Sequence, residues 1–330
     1  MKAKCVKFHE FGKPQDVLTI ESKDIQAPLK DEVLVRMKVR PINPSDVIPI
    51  TGAYAHRISL PTIPGYEGVG IVEAVGQSVS SSLLGKRVLP LRGEGTWQEY
   101  VKSSAELVVP IPDSIDDYTA AQMYINPLTA WITCTEELKL GPGDTLLVNA
   151  CGSAIGRIYA QLSNILGFQL IAVTRNNTHT KELLELGAAY VINTTEMPLH
   201  QTVMELTNGR GADAAIDSIG GLAGSELAFC IRPSGTLLTI GLLSGTAVNW
   251  AEVTKKASVH IKLFHLRHWN ARVSVHTWQE TFNHLIECIS NESLTLTKPT
   301  LQFDLTNVKE AICMVDSPIS KKGKIFLTSV

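Results

Sequence analysis

The chain has 330 residues, 44% apolar, 19% charged and 6% aromatic, with a formal net charge of −2. That length and balance suit a globular protein with room for two domains. They include no Lys/Arg run for a nucleic acid or an anionic surface, and no apolar run near the ~18 residues that cross a bilayer, so neither nucleic acid nor membrane is expected as a partner.

The opening stretch MKAKCVKFHEFG alternates charged and apolar residues and predicts a first strand, without the apolar core of a secretory signal. Six cysteines (Cys5, Cys134, Cys151, Cys230, Cys288 and Cys313) stand far apart with no CxxC pair. They are expected to be buried free thiols in a reducing cytoplasm.

Short β-branched runs follow, EVLVRMKV, GVGIVEAVG and KRVLPL, broken by Pro and Gly. They predict a compact, mostly antiparallel β domain over residues 1–118. From 119 to 267 the texture changes: TLLVNA, IGRIYAQLSNILG, QLIAVTR, TKELLELG and AYVIN alternate buried strand with helix, as in the βαβ units of a doubly wound parallel sheet. ADAAIDSIG, GTLLTIG and VHIKLFHL read as further strands, TWQETFNHLIECISN as an amphipathic helix and KGKIFLTSV as a closing strand. Residues 268–330 are expected to return to the first domain.

Chemistry concentrates where TLLVNA meets its helix, at NACGSAIGR. A pyrophosphate needs close backbone approach and free helix N-terminal N–H groups, and Gly152, Ser153 and Gly156 allow both. The strict G-x-G-x-x-G fingerprint is absent, because Cys151 and Ser153 stand where its first two glycines would, and a plain strand-to-helix turn is the alternative. The next strand ends at Thr174, Arg175, Asn176 and Asn177. A guanidinium there suits the 2′-phosphate of NADPH, whereas NAD-selective sites carry an acid; a solvated surface Arg is the bland reading.

The order PGYEGVG, GTWQEYV, INPLTAW, NACGSAIG, LGAAYVIN resembles the medium-chain dehydrogenase/reductase superfamily over essentially the whole chain. That resemblance implies an α/β protein with a GroES-like β-rich catalytic domain, a Rossmann NADP-binding domain and an active site in the cleft between them. Zinc members carry a ligating His before the Glu of PGYEG and a Cys where PINPSD stands. Tyr66 occupies the His position here and the four-Cys structural lobe is missing, so no metal is expected and Tyr66 is expected to be a packing residue.

Among zinc-independent branches, several segments are similar to 2-enoyl thioester reductases. In NPSDVIPITGAYAHRISLPTIPGYEGVG, Tyr54 falls on that family's catalytic tyrosine, with Asn43 bordering the substrate. INPLTAW implies that Asn126 and Thr129 lie near the nicotinamide, and the phosphate loop carries over at Ser153, Ala154, Ile155 and Gly156. The resemblance also assigns cofactor contacts to Ile240, Gly241, Leu242, Phe264, His265, Leu266 and Lys324, and a place at the substrate pocket to Trp269. Two departures stand out: a lone Arg175 where the family commonly has two arginines, and GYEG for Asn-Glu-Gly.

Reducing an α,β-unsaturated carbonyl requires hydride at the β-carbon, stabilisation of the enolate oxygen and a proton at the α-carbon. Tyr54 is the expected donor, as general acid or oxyanion partner. Asp217 and Glu67 read as single carboxylates with strand-end hydrogen bonds. The expected substrate is a small enone, enoyl thioester or quinone and the expected assembly a homodimer, paired along VHIKLFHL as in relatives. A quinone oxidoreductase, or an NADPH-binding protein without catalysis, are the alternatives.

Overall fold

The period-two runs of the first third become antiparallel strands and the longer apolar runs of the middle become a parallel sheet. Both are seen in a computed structural model describing residues 2–315, 317 and 323–329. The chain divides into two units, one of Met1–Ile125, Ser274–Asn291 and Leu296–Val330, the other of Asn126–Val273 and Glu292–Thr295. The first two crossings therefore fall after 125 and 273, several residues beyond the sequence-based borders at 118 and 267, and two more enclose residues 292–295.

In the first unit β1 (Lys2–Phe8) and β2 (Leu18–Asp24) form an antiparallel ribbon. β3 (Glu32–Pro41) pairs antiparallel with β4 (Val69–Val75) and with β6 (Tyr100–Ser104), and the sheet continues through β5 (Arg87–Leu89) and β7 (Val109–Pro110). Alternation places Val33, Val35 and Met37 of β3 on one face, buried against Val72, Val88 and Val101. Truncating Met37 to Ala removes on the order of 2–5 kcal/mol.

The second unit carries β8 (Thr145–Val148), β9 (Gln169–Thr174), β10 (Tyr190–Asn193), β11 (Ala212–Asp217), β12 (Ile231–Thr239) and β13 (His260–Leu263). They form one parallel sheet in the order β10-β9-β8-β11-β12-β13, the doubly wound arrangement read from the sequence. Every residue of the central β8 is buried, as expected of a strand covered on both faces. The helix Ala154–Leu166 starts on Ser153, whose hydroxyl accepts the Gly156 N–H, and stops at Gly167, whose φ of 80° only glycine adopts freely.

Beyond this unit β14 (Pro299–Asp304) and β15 (Lys324–Thr328) rejoin the first sheet, β15 antiparallel to β3 and β14 parallel to β15. The helix Val275–Ser290 also packs in the first unit. Helices at Leu199–Leu206, Gly221–Phe229, Trp250–Lys256 and Leu266–Arg272 were not read from the sequence, because they are short and lack long apolar periodicity. VHIKLFHL contributes only four strand residues: His265 caps the helix Leu266–Arg272 through its ring nitrogen, and this ends the strand. Among the described residues no helix is long and apolar enough to cross a membrane.

Candidate functional site

In a parallel sheet all strand carboxyl ends lie along one edge, and ligands of such folds collect there, where strand order reverses. In the second unit this edge gathers most of the expected cofactor residues. Gly152–Gly156 follow β8, Thr174–Asn177 end and follow β9, Ile240–Leu242 follow β12, and Phe264–Leu266 follow β13. Asp217 at the end of β11 ties the edge together: its Oδ1 accepts from Asn149 Nδ2 at 2.6 Å and from the Ile219 and Gly220 N–H groups. That is the strand-end role expected of it. Asn126 and Thr129, both half-buried, belong to this unit, in a Pro-containing helical stretch.

The turn after β8 is shaped by close approach. A Cβ on Gly156 would sit 2.2 Å from the Cys151 carbonyl oxygen, and one on Gly152 would sit 2.6 Å from the His179 ring. Arg157 braces the turn, donating to the Gly152 carbonyl at 2.8 Å while its other nitrogens reach Glu182 at 2.7 and 3.0 Å. Sequence reasoning missed this Arg157–His179–Glu182 brace, since nothing local marks Arg157 as more than a helix residue. Past β9, the Asn177 amide is held by Glu196 at 2.9 Å and the Asn176 carbonyl accepts from Thr174 Oγ1 at 2.9 Å. Arg175 is exposed, and its guanidinium has no hydrogen-bond partner among the described residues. A charged donor left over at a strand end, beside a glycine turn with no room for side chains, fits a phosphorylated dinucleotide.

Trp269 belongs to the helix Leu266–Arg272 that follows β13: it is buried, with its indole N–H donating to Glu136 at 2.9 Å.

The first unit carries a cavity of about 240 Å³ whose lining includes Asp46, Pro49, Ile58, Tyr66, Arg92, Glu94 and Tyr124. Tyr54 sits in the loop spanning Pro49 and Ile58, with the Arg57 guanidinium 3.8 Å from its ring centroid. Such a stack contributes about 0.5–2 kcal/mol and orients the ring. Tyr124 packs on Trp278 (5.8 Å between centroids) and Phe282 (6.4 Å), which makes that part of the wall rigid. Tyr66 corrects the expectation of a packing residue: it is 46% exposed. Gly65 at φ +95° turns the chain, the Tyr66 N–H donates to Asp46 Oδ1 at 3.0 Å, and the ring is left on the cavity lining.

Beneath that lining lies a polar cluster that no local motif announced. Asn43, Asp46, Glu67 and Lys324 are 2%, 1%, 1% and 7% exposed. Lys324 Nζ donates to Asn43 Oδ1 at 2.7 Å, and Asn43 Nδ2 donates to Glu67 Oε1 at 2.7 Å. Glu67 Oε2 accepts from the Tyr124 and Ile125 N–H groups at 3.0 and 2.8 Å, and Asp46 Oδ2 accepts from the Asn43 N–H at 2.8 Å. Glu67 is therefore more than a strand-end acceptor, while Asn43 and Lys324, expected at substrate and cofactor, lie inside this cluster.

Burial raises both carboxyls, Asp46 to about 7, and burial lowers the Lys324 ammonium against the pull of Glu67 and Asp46. A carboxyl whose folded value lies above its unfolded value stabilises the fold fully below about pH 4, and that contribution is lost as pH rises through its folded value. Urea denaturation should therefore show the stability advantage of the parent over Asp46→Asn narrowing from about pH 5 to about pH 8. An unchanged gap would remove Asp46 from the pH dependence.

Zinc does not fit these residues. Where a ligand set would stand, the structure has the Asn43 amide, already bonded on both sides, the Tyr66 phenol and a buried ammonium that would repel a dication. Among the described residues no three His, Cys, Asp or Glu side chains converge as a metal site. The cysteines are unpaired, five of them buried as expected; Cys313 is exposed, against that expectation.

Comparison with known proteins adds three relatives. The chain matches the family models described as zinc-binding dehydrogenase over residues 154–290 and alcohol dehydrogenase GroES-like domain over residues 29–113. The mitochondrial enoyl-[acyl-carrier-protein] reductase of Rattus norvegicus is 32% identical over 295 residues, 87% of this chain and 79% of the relative. A solved structure from Bacillus thuringiensis, provisionally named an NADPH:quinone reductase, is 68% identical over 100% of both chains with a TM-score of 0.98. Etr1p, solved with NADP and crotonyl-CoA, is 25% identical over 100% of both chains with a TM-score of 0.85.

Proposed function

Because the chain belongs to the medium-chain dehydrogenase/reductase superfamily, in its zinc-independent enoyl and quinone reductase branch, we propose that this oxidoreductase reduces the C=C bond of an α,β-unsaturated carbonyl. A 2-enoyl thioester is the substrate favoured. The observation that carries this reading is Tyr54, oriented by Arg57 in a loop bordering a cavity of the first unit, in a chain 32% identical to an enoyl thioester reductase over most of its length.

Bound NADPH would supply the hydride. The residues around it have separable tasks. The turn Gly152–Gly156 and the helix start at Ser153 receive the pyrophosphate on backbone N–H groups, and Arg175 takes the 2′-phosphate. Tyr54 donates to the oxygen on which charge develops, or passes the proton to the α-carbon. With no cation other than Arg175 expected at that phosphate, Arg175→Ala should weaken NADPH binding by roughly 10- to 100-fold and leave NADH nearly unchanged. Fluorescence titration with both nucleotides checks this, and equal losses would sink it.

A second reading, an NADPH:quinone reductase, is favoured by the 68% identical solved structure. Initial rates of NADPH oxidation over a panel of enoyl thioesters, enals and quinones separate the two. Preference for the thioesters supports the first reading, and turnover of quinones alone replaces it with the second.

The exposed edge strand β13, with Ile261 and Leu263 38% and 74% exposed, is proposed as the pairing edge of a homodimer. Sedimentation should give twice the chain mass at micromolar concentration, and a stable monomer would refute the pairing.

A further inference from the structure

The cluster beneath the cavity contains more acid than base. Asp46 and Glu67 could each carry a negative charge, Lys324 supplies one positive charge, and all three side chains are nearly sealed from water. An uncompensated charge in such a place is costly, and the group takes up a proton instead. Glu67 is the better home for the remaining negative charge. It accepts three donors, the Asn43 amide and the Tyr124 and Ile125 N–H groups. Asp46 accepts two, the Asn43 and Tyr66 N–H groups, and unlike Glu67 it forms part of the cavity lining. The other titratable or charged groups of that lining are Tyr66, Tyr124, Arg92 and Glu94.

We propose that Asp46 is held as a neutral carboxylic acid by the Asn43–Glu67–Lys324 cluster and offers its hydroxyl as a hydrogen-bond donor to the cavity. It would be a second donor besides Tyr54, on the other side of the loop that carries it in sequence. On the reductase reading, on which this role rests, the acceptor is the carbonyl oxygen of the substrate, which gains charge during the reaction. Burial that pushes Asp46 up to about 7 agrees with the assignment.

Carbon NMR of protein labelled at the aspartate carboxyl carbon tests the protonation state without substrate or cofactor. One aspartate resonance should stand at the carboxylic-acid position at about pH 6 and move to the carboxylate position with a midpoint near 7. It should vanish in Asp46→Asn. In Glu67→Gln, where Lys324 is left to balance Asp46 alone, its midpoint should fall by about one pH unit or more. If every aspartate has reached its carboxylate position by about pH 5, the proposal is wrong, and that readout needs no variant to fold. For the role, kcat/KM on whichever substrate class the panel identifies should fall as pH rises through about 7, and that limb should be missing in Asp46→Asn. The same limb in both proteins would overturn the donor role. Failure to turn over enoyl thioesters would leave the NMR result standing, so the two readings fail separately.

Discussion

Tyr54→Phe is expected to lower turnover by roughly 10²- to 10⁴-fold, the usual loss when a positioned acid is removed. The ring and its stack on Arg57 remain, so only the phenolic oxygen is lost. NADPH affinity should hardly change, because most of the expected cofactor residues, from Gly152–Gly156 to Phe264–Leu266, lie at the strand ends of the other unit. The control is Tyr66→Phe. The change keeps the Tyr66 ring and the backbone N–H that donates to Asp46, and the proposed reduction gives its hydroxyl no proton to deliver, so it should be close to neutral. Steady-state kinetics of both variants settle the matter: an inactive Tyr66→Phe beside a fully active Tyr54→Phe would move the mechanism to residue 66.

Glu67→Ala should destabilise the protein by about 3–5 kcal/mol, the range for removing one member of a buried set of opposite charges. The loss leaves Asp46 as the one remaining acid of the cluster to balance Lys324, and leaves the Tyr124 and Ile125 N–H groups and the Asn43 amide without their acceptor. Glu67→Gln removes the charge but keeps an acceptor, so it should cost less. Chemical denaturation midpoints of the two variants check the order, and a Glu67→Ala protein as stable as its parent would mean that the cluster contributes nothing to the fold.

The parallel order of the second sheet was legible because its strands are buried on both faces and appear as unbroken apolar runs, such as TLLV and LIAV. The strand-end residues were legible for the same reason, since topology alone places Thr174–Asn177 and Gly152–Gly156 on one edge. The cluster was not. Lys324 meets Asn43 across 281 residues and Glu67 meets Ile125 across 58, and no periodicity or spacing relates groups so far apart. Tyr66 was misjudged because a position vacated by a metal ligand says nothing of where the side chain points. The positive φ at Gly65 decides that, and it turns the ring to the cavity lining. The short helices after β10, β11, β12 and β13 were missed because tertiary packing fixes them, where local propensity is weak.

Mass analysis of the product formed from a crotonyl thioester and NADPH shows whether this chain reduces an enoyl C=C bond. The saturated thioester, heavier by two hydrogen atoms, is expected from the parent and almost none of it from Tyr54→Phe. An unchanged thioester in a reaction where the same protein and NADPH readily reduce a simple quinone would contradict that expectation.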